Sequence, residues 1–587
     1  MSVAGVRRSN GVIAASLLTL LVATRAHAEP GGSLILRGAA IYTLDAARPW
    51  ASALVIRNGR IAYVGDDAGA LAFAGPGTRA LALDGRMVLP AFHDSHCHPM
   101  TGGMRLLRCR LNDFNTEHSV YAAVRACAAA EPKGAWLLGG GWSPAAFARG
   151  GPSRRKLDEL VPDRPALLTT EDGYTAWVNT RALALAGVGT VRSSSPVGGI
   201  ERDPRTHEPT GILKDDAVDF VKRHVPQPTE AEYREALRRS TAIANRFGIT
   251  SLVDANASEA VLDAYHAAEV AGKLTVRVVA AQHVDSRRGE EQVGELLARR
   301  DRVRGRRLRA DAAKLFLDGE IDRHTAAMLE SYAGAPGVRG ELQIKPEALN
   351  ALVRRLDADG FLIHMHAMGD RAVHAGLDAI EHAIQANGVR DRRHQLAHVG
   401  VASPDDILRF GRLGATANFQ PIWAQANDPA SGPTEAALGP ARSRWIFPMA
   451  SIAAGGGRII ASSDWPAPSM NPLDAIQVAV TRRPLDGSKP AQQPQERVGL
   501  AAMLGAYTID AAWAAREEVI DGSIEIGKAA DLVVLDRNLF TIDVLELHQA
   551  RVLLTLLDGE PVYRDPGFAW HWGEKRNGHP CRRLSRR

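Results

Sequence analysis

The chain has 587 residues, of which 45% are hydrophobic and 23% charged, and its formal net charge is +5. This composition is typical of a globular protein and excludes a disordered or fibrous chain, while the length predicts one large domain with a smaller companion. Part of the positive charge lies in a basic tail, residues 566–587. Because the rest of the chain has no basic stripe or nucleic-acid motif, we do not expect nucleic acid as a partner.

The N-terminus has the three parts of a secretory signal. Arg7 and Arg8 precede an apolar stretch over residues 11–23, and Ala-His-Ala at 26–28 forms a small-x-small cleavage site. The apolar stretch is shorter than a usual membrane span. We therefore expect a signal peptide over residues 1–28 and an exported protein, periplasmic or secreted, with no stable membrane span after cleavage. An uncleaved anchor is the alternative, and the paired arginines leave the twin-arginine route open.

The sequence patterns at both ends of the remaining chain are typical of short β-strands. The segment 33–89 contains apolar runs separated by turn signals, and Asn58-Gly59 between two such runs predicts a tight hairpin. Similar runs return around Asp531 and Asp558. We predict one small β-sandwich built from residues 33–89 and 520–565.

The middle of the chain, residues 90–519, alternates strand-like and helix-like segments, as the βα units of a parallel barrel do. An α/β fold, a (β/α)8 TIM barrel, is therefore predicted, with the composite sandwich beside it. Eight segments are candidate barrel strands: MVLPAF, ITSLVDA, LTVRVVAA, AAKLFLD, FLIHMHA, HQLAHV, GATANF and RIIASSD.

One stretch, about residues 102–224, does not follow the βα rhythm. It holds the glycine cluster of WLLGGGW and several turn-rich segments. We interpret it as an inserted subdomain after the first barrel strand, on the mouth of the barrel where loops shape substrate pockets. The glycine cluster is interpreted as a tight loop, and Trp142 beside it could line the pocket or pack in a core.

Cysteine usage is sparse. Four cysteines are too few for a disulfide framework in a chain of this size, although one bridge would suit an oxidising compartment. There is no CxxC pair that would indicate a structural zinc site. The four are Cys97, Cys109, Cys127 and Cys581.

Metal-type side chains recur at the ends of the predicted barrel strands. In an extended segment alternate side chains point the same way, so His96 and His98 can reach one ion while Cys97 points elsewhere. His366, with His364 two residues before it, and His398 and Asp464 end later strands. Each alone is more often an ordinary packed residue. Together they match the neutral imidazole and carboxylate ligands of a zinc-type ion, because the strand ends of a barrel meet on one face.

Lys314 is a lysine inside the apolar run AAKLFLDG. A buried lysine needs an explanation, since this residue is almost never fully buried unless it is paired. It could snorkel or pair with Asp318 or Glu320. Alternatively, carbon dioxide could convert the amine into a carbamate, a carboxylate that is able to bridge two divalent ions.

These motifs, taken in order, resemble the amidohydrolase superfamily, in particular family 3, the YtcJ-like group that includes N-substituted formamide deformylases. The resemblance covers nearly all of the chain from Ser33 to about Arg564. It is carried by VLPAFHDSHCHP, GITSLVDA, AKLFLDGEIDRHTAAM, HMHAMGDRAV, LAHVG, ASSDWPAPSMNP and IGKAADLVVLD. The chain departs from the family at Glu320, where Ser or Thr is frequent, and this departure bears on the substrate.

The resemblance implies a TIM barrel with one or two divalent metal ions, zinc being expected, held at the strand ends. The implied ligands are His96, His98, His366, His398, Asp464 and Lys314, the last as a carbamylated bridge. Asp464 would also be the catalytic residue that takes a proton from the attacking water.

The expected function is hydrolysis of an amide- or formamide-type C–N bond in a small-molecule substrate. Two alternatives remain: a metal enzyme of the same fold that acts on a lactone, an ester or another C–N bond, and a non-catalytic periplasmic binding protein. A serine hydrolase is disfavoured because the chain has no GxSxG elbow. The sequence does not indicate substrate-binding residues or oligomeric state.

Overall fold

Eight parallel strands follow one another around a nearly closed sheet in the computed structural model, which describes residues 33–130, 136–147, 151–170, 173–189, 199–426 and 431–568. The predicted signal peptide and most of the basic tail lie outside the described residues. In chain order the strands are Phe92–Cys97, Ile249–Ala257, Arg277–His283, Leu308–Phe316, Leu362–Ala367, Gln395–His398, Thr416–Phe419 and Arg458–Ala461. We number them barrel strands 1 to 8. All eight fall within or beside the predicted segments, so the predicted barrel is confirmed.

The barrel closes through hydrogen bonds between strand 1 and the segment after strand 8. The Asp464 N–H donates to the His96 carbonyl at 2.8 Å. The Ser463 N–H donates to Asp94 Oδ1 at 2.9 Å. Closure therefore brings the first and last candidate ligands of the chain to the same place.

Helices cover the outside of the barrel and begin at local capping signals. Thr229 and Glu232, for example, form a capping box at the start of the helix that precedes strand 2. The helices of this layer and of the C-terminal part of the domain are Glu230–Arg246, Glu259–Val270, Val293–Arg302, Pro346–Ala358, Asp370–Asn387, Pro404–Leu413, Ser431–Ser443, Met449–Ala454, Pro472–Thr481, Leu500–Ala506 and Ile509–Ala514, with 3-10 turns at Glu290–Gln292, Pro421–Trp423 and Pro494–Glu496.

Two further sheets flank the barrel, the first built from the N-terminal segment alone and the second from both ends of the chain. In sheet order the first contains Arg60–Gly65, Ala53–Arg57, Leu34–Arg37 and Arg79–Ala82; the second contains Glu560–Arg564, Val552–Leu557, Leu532–Leu535, Met87–Pro90, Ala40–Tyr42 and Trp50–Ala51. Helix Asp67–Leu71 packs against the first sheet, whereas the 3-10 segment Val544–Gln549 packs against helix Pro472–Thr481 of the barrel domain. The hairpin at Asn58-Gly59 forms as expected, with positive φ at both residues.

The segment predicted as barrel strand 1, MVLPAF, is divided between two sheets. Met87–Pro90 pairs with Leu532–Leu535 in the flanking sheet, and the barrel strand begins only at Phe92. The sequence placed residues 87–89 both in the sandwich segment and in the first candidate barrel strand, and the structure places them in the flanking sheet. An apolar run indicates that a strand is buried, and both sheets bury their strands. It does not indicate which strand is its pairing partner.

The insertion after strand 1 forms its own sheet. After helix Pro99–Leu106 it contains, in sheet order, strands Ile200–Arg202, Pro209–Lys214, Thr175–Val178, Ala166–Thr170, Leu137–Trp142 and Cys109–Arg110, with helices Glu117–Ala130, Arg154–Leu160, Thr180–Leu185 and Asp216–Lys222 and a 3-10 turn at Pro144–Ala146. The glycine cluster lies in one of these strands, so the tight-loop interpretation was wrong.

Two details of the insertion explain its local sequence. A Cβ on Gly139 would lie 2.3 Å from the Cys109 carbonyl oxygen, so only glycine permits this close pairing of strands. Trp142 is buried and donates its indole N–H to the Leu168 carbonyl at 2.7 Å, so it packs in the subdomain core. A disulfide joins Cys109 to Cys127, and Cys97 is a buried free thiol.

Candidate metal centre

Parallel strand register places the candidate ligands at the carboxyl end of the barrel. Lys314 is level with His364, and His366 is level with Ala397, whose neighbour His398 ends strand 6. His96 and His98 stand at the end of strand 1, and Asp464 follows strand 8. The six residues predicted from the sequence therefore come from strands 1, 4, 5, 6 and 8 and lie on one face.

Asp464 is the carboxylate around which the histidines of strand 1 gather. Its Oδ1 atom lies 3.1 Å from His98 Nε2 and 3.5 Å from His96 Nε2. One donor atom from each of His96, His398 and Asp464 lies within 4.8 Å of the other two. Three donors at this spacing can surround a single small cation.

His366 and His398 complete the histidine cluster from strands 5 and 6. Their ring centroids are 4.5 Å apart, and the centroid of His398 lies 4.8 Å from that of His96. The imidazoles of three strands thus converge on the mouth of the barrel, as the sequence predicted.

Lys314 is buried, with 1% of its surface exposed. Its Nζ lies 4.8 Å from the centroid of the Phe316 ring, and within the described part of the chain no hydrogen-bond or ion-pair partner of this nitrogen is found. The snorkelling and salt-bridge interpretations therefore do not describe this side chain. Burial lowers the pKa of Lys314 to about 7, an effect that the carboxylates of Asp464 and Glu320 partly offset.

Hydrogen bonds from neighbouring side chains orient the histidines. His398 Nδ1 lies 2.7 Å from Gln420 Oε1, and Gln420 in turn donates to Ser462 Oγ at 2.8 Å. His96 Nδ1 lies 2.8 Å from His364 Nε2. Such contacts fix the ring orientation and leave the other nitrogen to face the centre.

Burial and mutual repulsion favour the neutral form of His96, His366 and His398. Burial lowers the pKa of His366 to about 3, and it holds the pKa values of His96 and His398 well below the ordinary histidine value, with the Lys314 charge acting in the same direction. Neutral imidazole is the form that binds metal ions. The electrostatics of the cluster therefore suit a cation that supplies the missing positive charge.

The backbone is strained at two of these positions. Asp464 has φ of 55° and His398 has φ of 76°, both in the left-handed region that non-glycine residues rarely occupy. Strain of this kind persists where the surrounding structure over-determines it, and it clusters at functional sites. The peptide bond between Trp465 and Pro466 is cis.

Three buried carboxyl groups near the cluster were not predicted as site residues. Asp94 accepts from both the N–H and the hydroxyl of Ser463, and burial raises its pKa to about 6. Asp318 accepts from the N–H groups of Ala327, Met368 and Gly369, and desolvation nevertheless raises its pKa to about 8. The third, Asp254, accepts a hydrogen bond from the Tyr265 hydroxyl at 2.9 Å.

The signal for two of these carboxyl groups was present in the sequence. Asp94 belongs to the HDSHCH run, and Asp254 lies near the end of the predicted strand ITSLVDA. By contrast, the role of Gln420 depends on its approach to His398, which no local pattern predicts. Glu320, the noted departure, is half-buried, and desolvation together with the charge of Asp464 raises its pKa to about 7.

A cavity of about 900 Å³ lies beside the cluster, between the insertion and the barrel. It is lined by Asp254 and Asn256 from strand 2 and by Trp465 from the segment after strand 8, and on the other side by residues of the insertion. The cluster histidines do not themselves line this cavity. Trp465, which follows Asp464 in the chain, is one of the residues at which the two regions adjoin.

A (β/α)8 barrel with histidines and an aspartate gathered at its strand ends defines a class of metal-dependent hydrolases. Residues 79–563 match the model of the amidohydrolase family. The chain belongs to this family and is a hydrolase, which confirms the resemblance noted in its motifs.

The chain is similar to individual proteins over most of its length. The chain is 32% identical over 546 residues to Protein LONG AFTER FAR-RED 3 of Arabidopsis thaliana, covering 90% of this chain and 91% of that protein. It is 27% identical over 548 residues to the N-substituted formamide deformylase of Arthrobacter pascens, covering 91% and 99%. Among solved structures, a metal-dependent hydrolase from Pyrococcus furiosus superposes with a TM-score of 0.71 at 25% identity, covering 86% and 99%.

Proposed function

We propose that this protein hydrolyses an amide- or formamide-type C–N bond with water activated at the histidine–aspartate cluster. The observation that carries the proposal is the approach of His96, His398 and Asp464, whose donor atoms lie within 4.8 Å of one another at the mouth of an amidohydrolase barrel. The similarity to a formamide deformylase supports this bond type.

The side chains present fit one or two divalent ions, with zinc the metal we propose. His96, His98, His366, His398 and Asp464 offer imidazole and carboxylate donors, which suit zinc. The His96 Nε2 atom is buried and has no hydrogen-bond partner among the described residues. A buried polar nitrogen left without a partner costs free energy, which a cation bound to its lone pair would recover.

A divalent ion held at this centre would lower the pKa of a bound water and polarise the scissile carbonyl. Asp464, with its Oδ1 at 3.1 Å from His98 Nε2, would accept the proton that the attacking water loses. Asp464 would then donate this proton to the leaving nitrogen. Addition of water across the C–N bond in this way yields a carboxylic acid and an amine.

The side chains around the cluster would keep this geometry. Gln420 holds the His398 ring through Nδ1, and Trp423 stacks on the same ring with centroids 5.7 Å apart. Pre-positioned groups of this kind spare the reaction the cost of ordering them in the transition state.

We also propose that Lys314 is carbamylated. Lys314 is buried on strand 4, beside strand 5, which carries His366, and no carboxylate of the described residues forms an ion pair with its Nζ. The amine nitrogen would form a bond to the carbon of carbon dioxide and lose one proton to solvent, which gives a carbamate anion. That anion would supply the bridging carboxylate for a second ion.

Export to an oxidising compartment, with removal of residues 1–28, remains our proposal for the location of the protein. The Cys109–Cys127 disulfide supports it, because such bonds persist in oxidising compartments. Among the described residues, no helix has the length and apolarity that a membrane crossing requires.

Metal analysis of the purified protein, together with assays on N-formyl and N-acyl amines before and after chelation, tests the proposal. We expect one or two zinc-type ions per chain and hydrolysis that chelation abolishes and zinc restores. The His98→Asn variant should lose metal and activity, whereas His382→Asn, an exposed histidine on a barrel helix, should keep both. Full activity in metal-free protein would refute it. Hydrolysis of matched esters or lactones but of no amide would favour the alternative bond type.

A further inference from the structure

The cavity beside the cluster has the size of a binding pocket for an extended molecule. Its volume of about 900 Å³ lies near the upper end of the range of about 300–1,000 Å³ that ligand pockets span. A small formamide would leave most of it empty. The volume therefore indicates a substrate with a sizeable body beyond the scissile bond.

The inner end of the cavity adjoins the candidate metal centre. Trp465 follows Asp464 in the chain, and its carbonyl accepts the His98 N–H at 2.8 Å. Asp254 of strand 2 is level with Cys97 of strand 1, the residue that precedes His98. A substrate whose C–N bond lies at the cluster can thus extend into the cavity past these two side chains.

Apolar side chains form part of the cavity wall. Met100 and Met104 from the helix after strand 1, Leu138 and Leu167 from the insertion sheet and Val261 from a barrel helix line it. Apolar walls bind an aliphatic or aromatic body through the hydrophobic effect, and methionines adapt to its shape.

The outer rim is positively charged. Arg110 and Lys222 are exposed and line the cavity, and their closest acids, Asp113 at 4.0 Å and Asp219 at 3.8 Å, do not line it. Exposed pairs at such distances are weak, so both cations can turn toward a ligand. The disulfide at Cys109 anchors the strand that carries Arg110.

Among the described residues, two further arginines, Arg105 and Arg108, and one acid line the cavity. The Arg108 guanidinium lies 2.9 Å from the Glu232 carboxylate, which neutralises it. Of the described residues that line the cavity, Asp254 alone carries a carboxylate, and it is buried at the inner end. The cavity therefore runs from an acidic, buried end at the cluster to a basic, exposed end.

We propose that this cavity is the substrate pocket and that it selects C–N substrates with an apolar body and an anionic group, a carboxylate or sulfonate, at the end remote from the scissile bond. This inference rests on the proposed hydrolytic function, which supplies the reaction at the scissile bond. Arg110 and Lys222 are its specificity-determining residues, and they act on binding at a distance from the reacting atoms.

The test compares two N-formyl substrates of equal length, an N-formyl-ω-amino alkanoic acid and its methyl ester. We expect the metal-loaded protein to favour the acid by about threefold to tenfold in kcat/KM, mostly through KM, as two exposed charge contacts allow. High salt should reduce the preference. The double variant Arg110→Gln/Lys222→Gln should lose it with kcat retained. Arg223→Gln changes an exposed neighbour that does not line the cavity, and it should keep the preference.

Failure of this inference differs from failure of the proposed function. Equal kcat/KM for acid and ester, or a preference that survives in the double variant, overturns the pocket assignment and leaves the hydrolase standing. If neither substrate is cleaved, equilibrium binding of decane-1-sulfonate and decanol to the same protein decides the pocket. Tighter binding of the sulfonate that the double variant abolishes supports it, and equal binding of the two probes overturns it.

Discussion

His98 Nε2 lies 3.1 Å from Asp464 Oδ1, although 365 intervening residues separate the two in the chain. The contact exists because barrel closure puts the end of strand 1 beside the segment after strand 8, where the Asp464 N–H binds the His96 carbonyl. In the proposed reaction the Asp464 carboxylate therefore has two roles, as a candidate metal ligand and as the group that transfers the proton.

Replacing this carboxylate should reduce catalysis far more than substrate binding. We expect Asp464→Asn to lower kcat by about 10²–10⁴-fold, the usual contribution of a positioned acid–base group, with a smaller change in KM. Steady-state kinetics and metal content of the same preparations test this. Asp486→Asn, an exposed residue outside the cluster, is the control. Retention of kcat in Asp464→Asn would exclude the proposed proton transfer.

Carbamylation of Lys314 can be observed directly. Protein loaded with zinc in ¹³C-bicarbonate should give a carbamate carbonyl resonance in the ¹³C NMR spectrum, and Lys314→Ala should lose both this resonance and one of two bound ions. Lys345→Ala removes an exposed lysine and should change neither. A wild-type spectrum without the resonance, together with a single ion per chain, would contradict the bridge and favour a one-metal centre.

Gln420 should act through the His398 ring. Because its Oε1 lies 2.7 Å from His398 Nδ1, we expect Gln420→Leu to weaken metal affinity by about 10–100-fold, as loss of a contact to a ligating histidine does. Gln420→Glu keeps an acceptor at this position and should retain most of the affinity. Competition with a chromophoric chelator measures it. Equal affinity in the leucine variant would show that the hydrogen bond does not orient the ring.

The buried carboxyl of Glu517 at the opposite end of the barrel predicts a pH effect on stability. Desolvation and the charge of Asp521 raise its pKa to about 7. The folded state therefore holds this proton more tightly than the unfolded state, and the stability contribution of Glu517 falls as pH rises from its ordinary pKa to about 7. We expect the unfolding free energy of wild type minus that of Glu517→Gln to decrease over this window in denaturant titrations.

The neighbouring residue provides an internal control for this pH effect. Both Glu518 carboxylate oxygens accept from Arg393 at 2.8 Å, and this contact holds the pKa of Glu518 below its ordinary value. Its contribution is present at neutral pH and is lost as pH falls, so Glu518→Gln should show a slope of opposite sign. Slopes of the same sign in the two variants would contradict the assignment.

Local patterns in the sequence determined the main elements of this protein. The alternation of apolar strands and amphipathic helices predicted eight barrel strands, Asn58-Gly59 predicted a hairpin, and the histidines and Asp464 stood at strand ends. These features are readable because side-chain periodicity and turn chemistry depend on neighbours in the chain. Parallel barrel geometry then requires that the strand ends meet, so the clustering of these side chains could be predicted from their positions at strand ends.

Only the tertiary structure decided which groups touch. The division of MVLPAF between two sheets, the pairing of Cys109 with Cys127, the contact of Gln420 with His398 and the cavity between insertion and barrel all depend on how distant segments pack. An apolar run or a polar side chain has the same local pattern whichever partner it finds. Sheet register and barrel closure determine which distant segments approach one another, and both are properties of the whole chain.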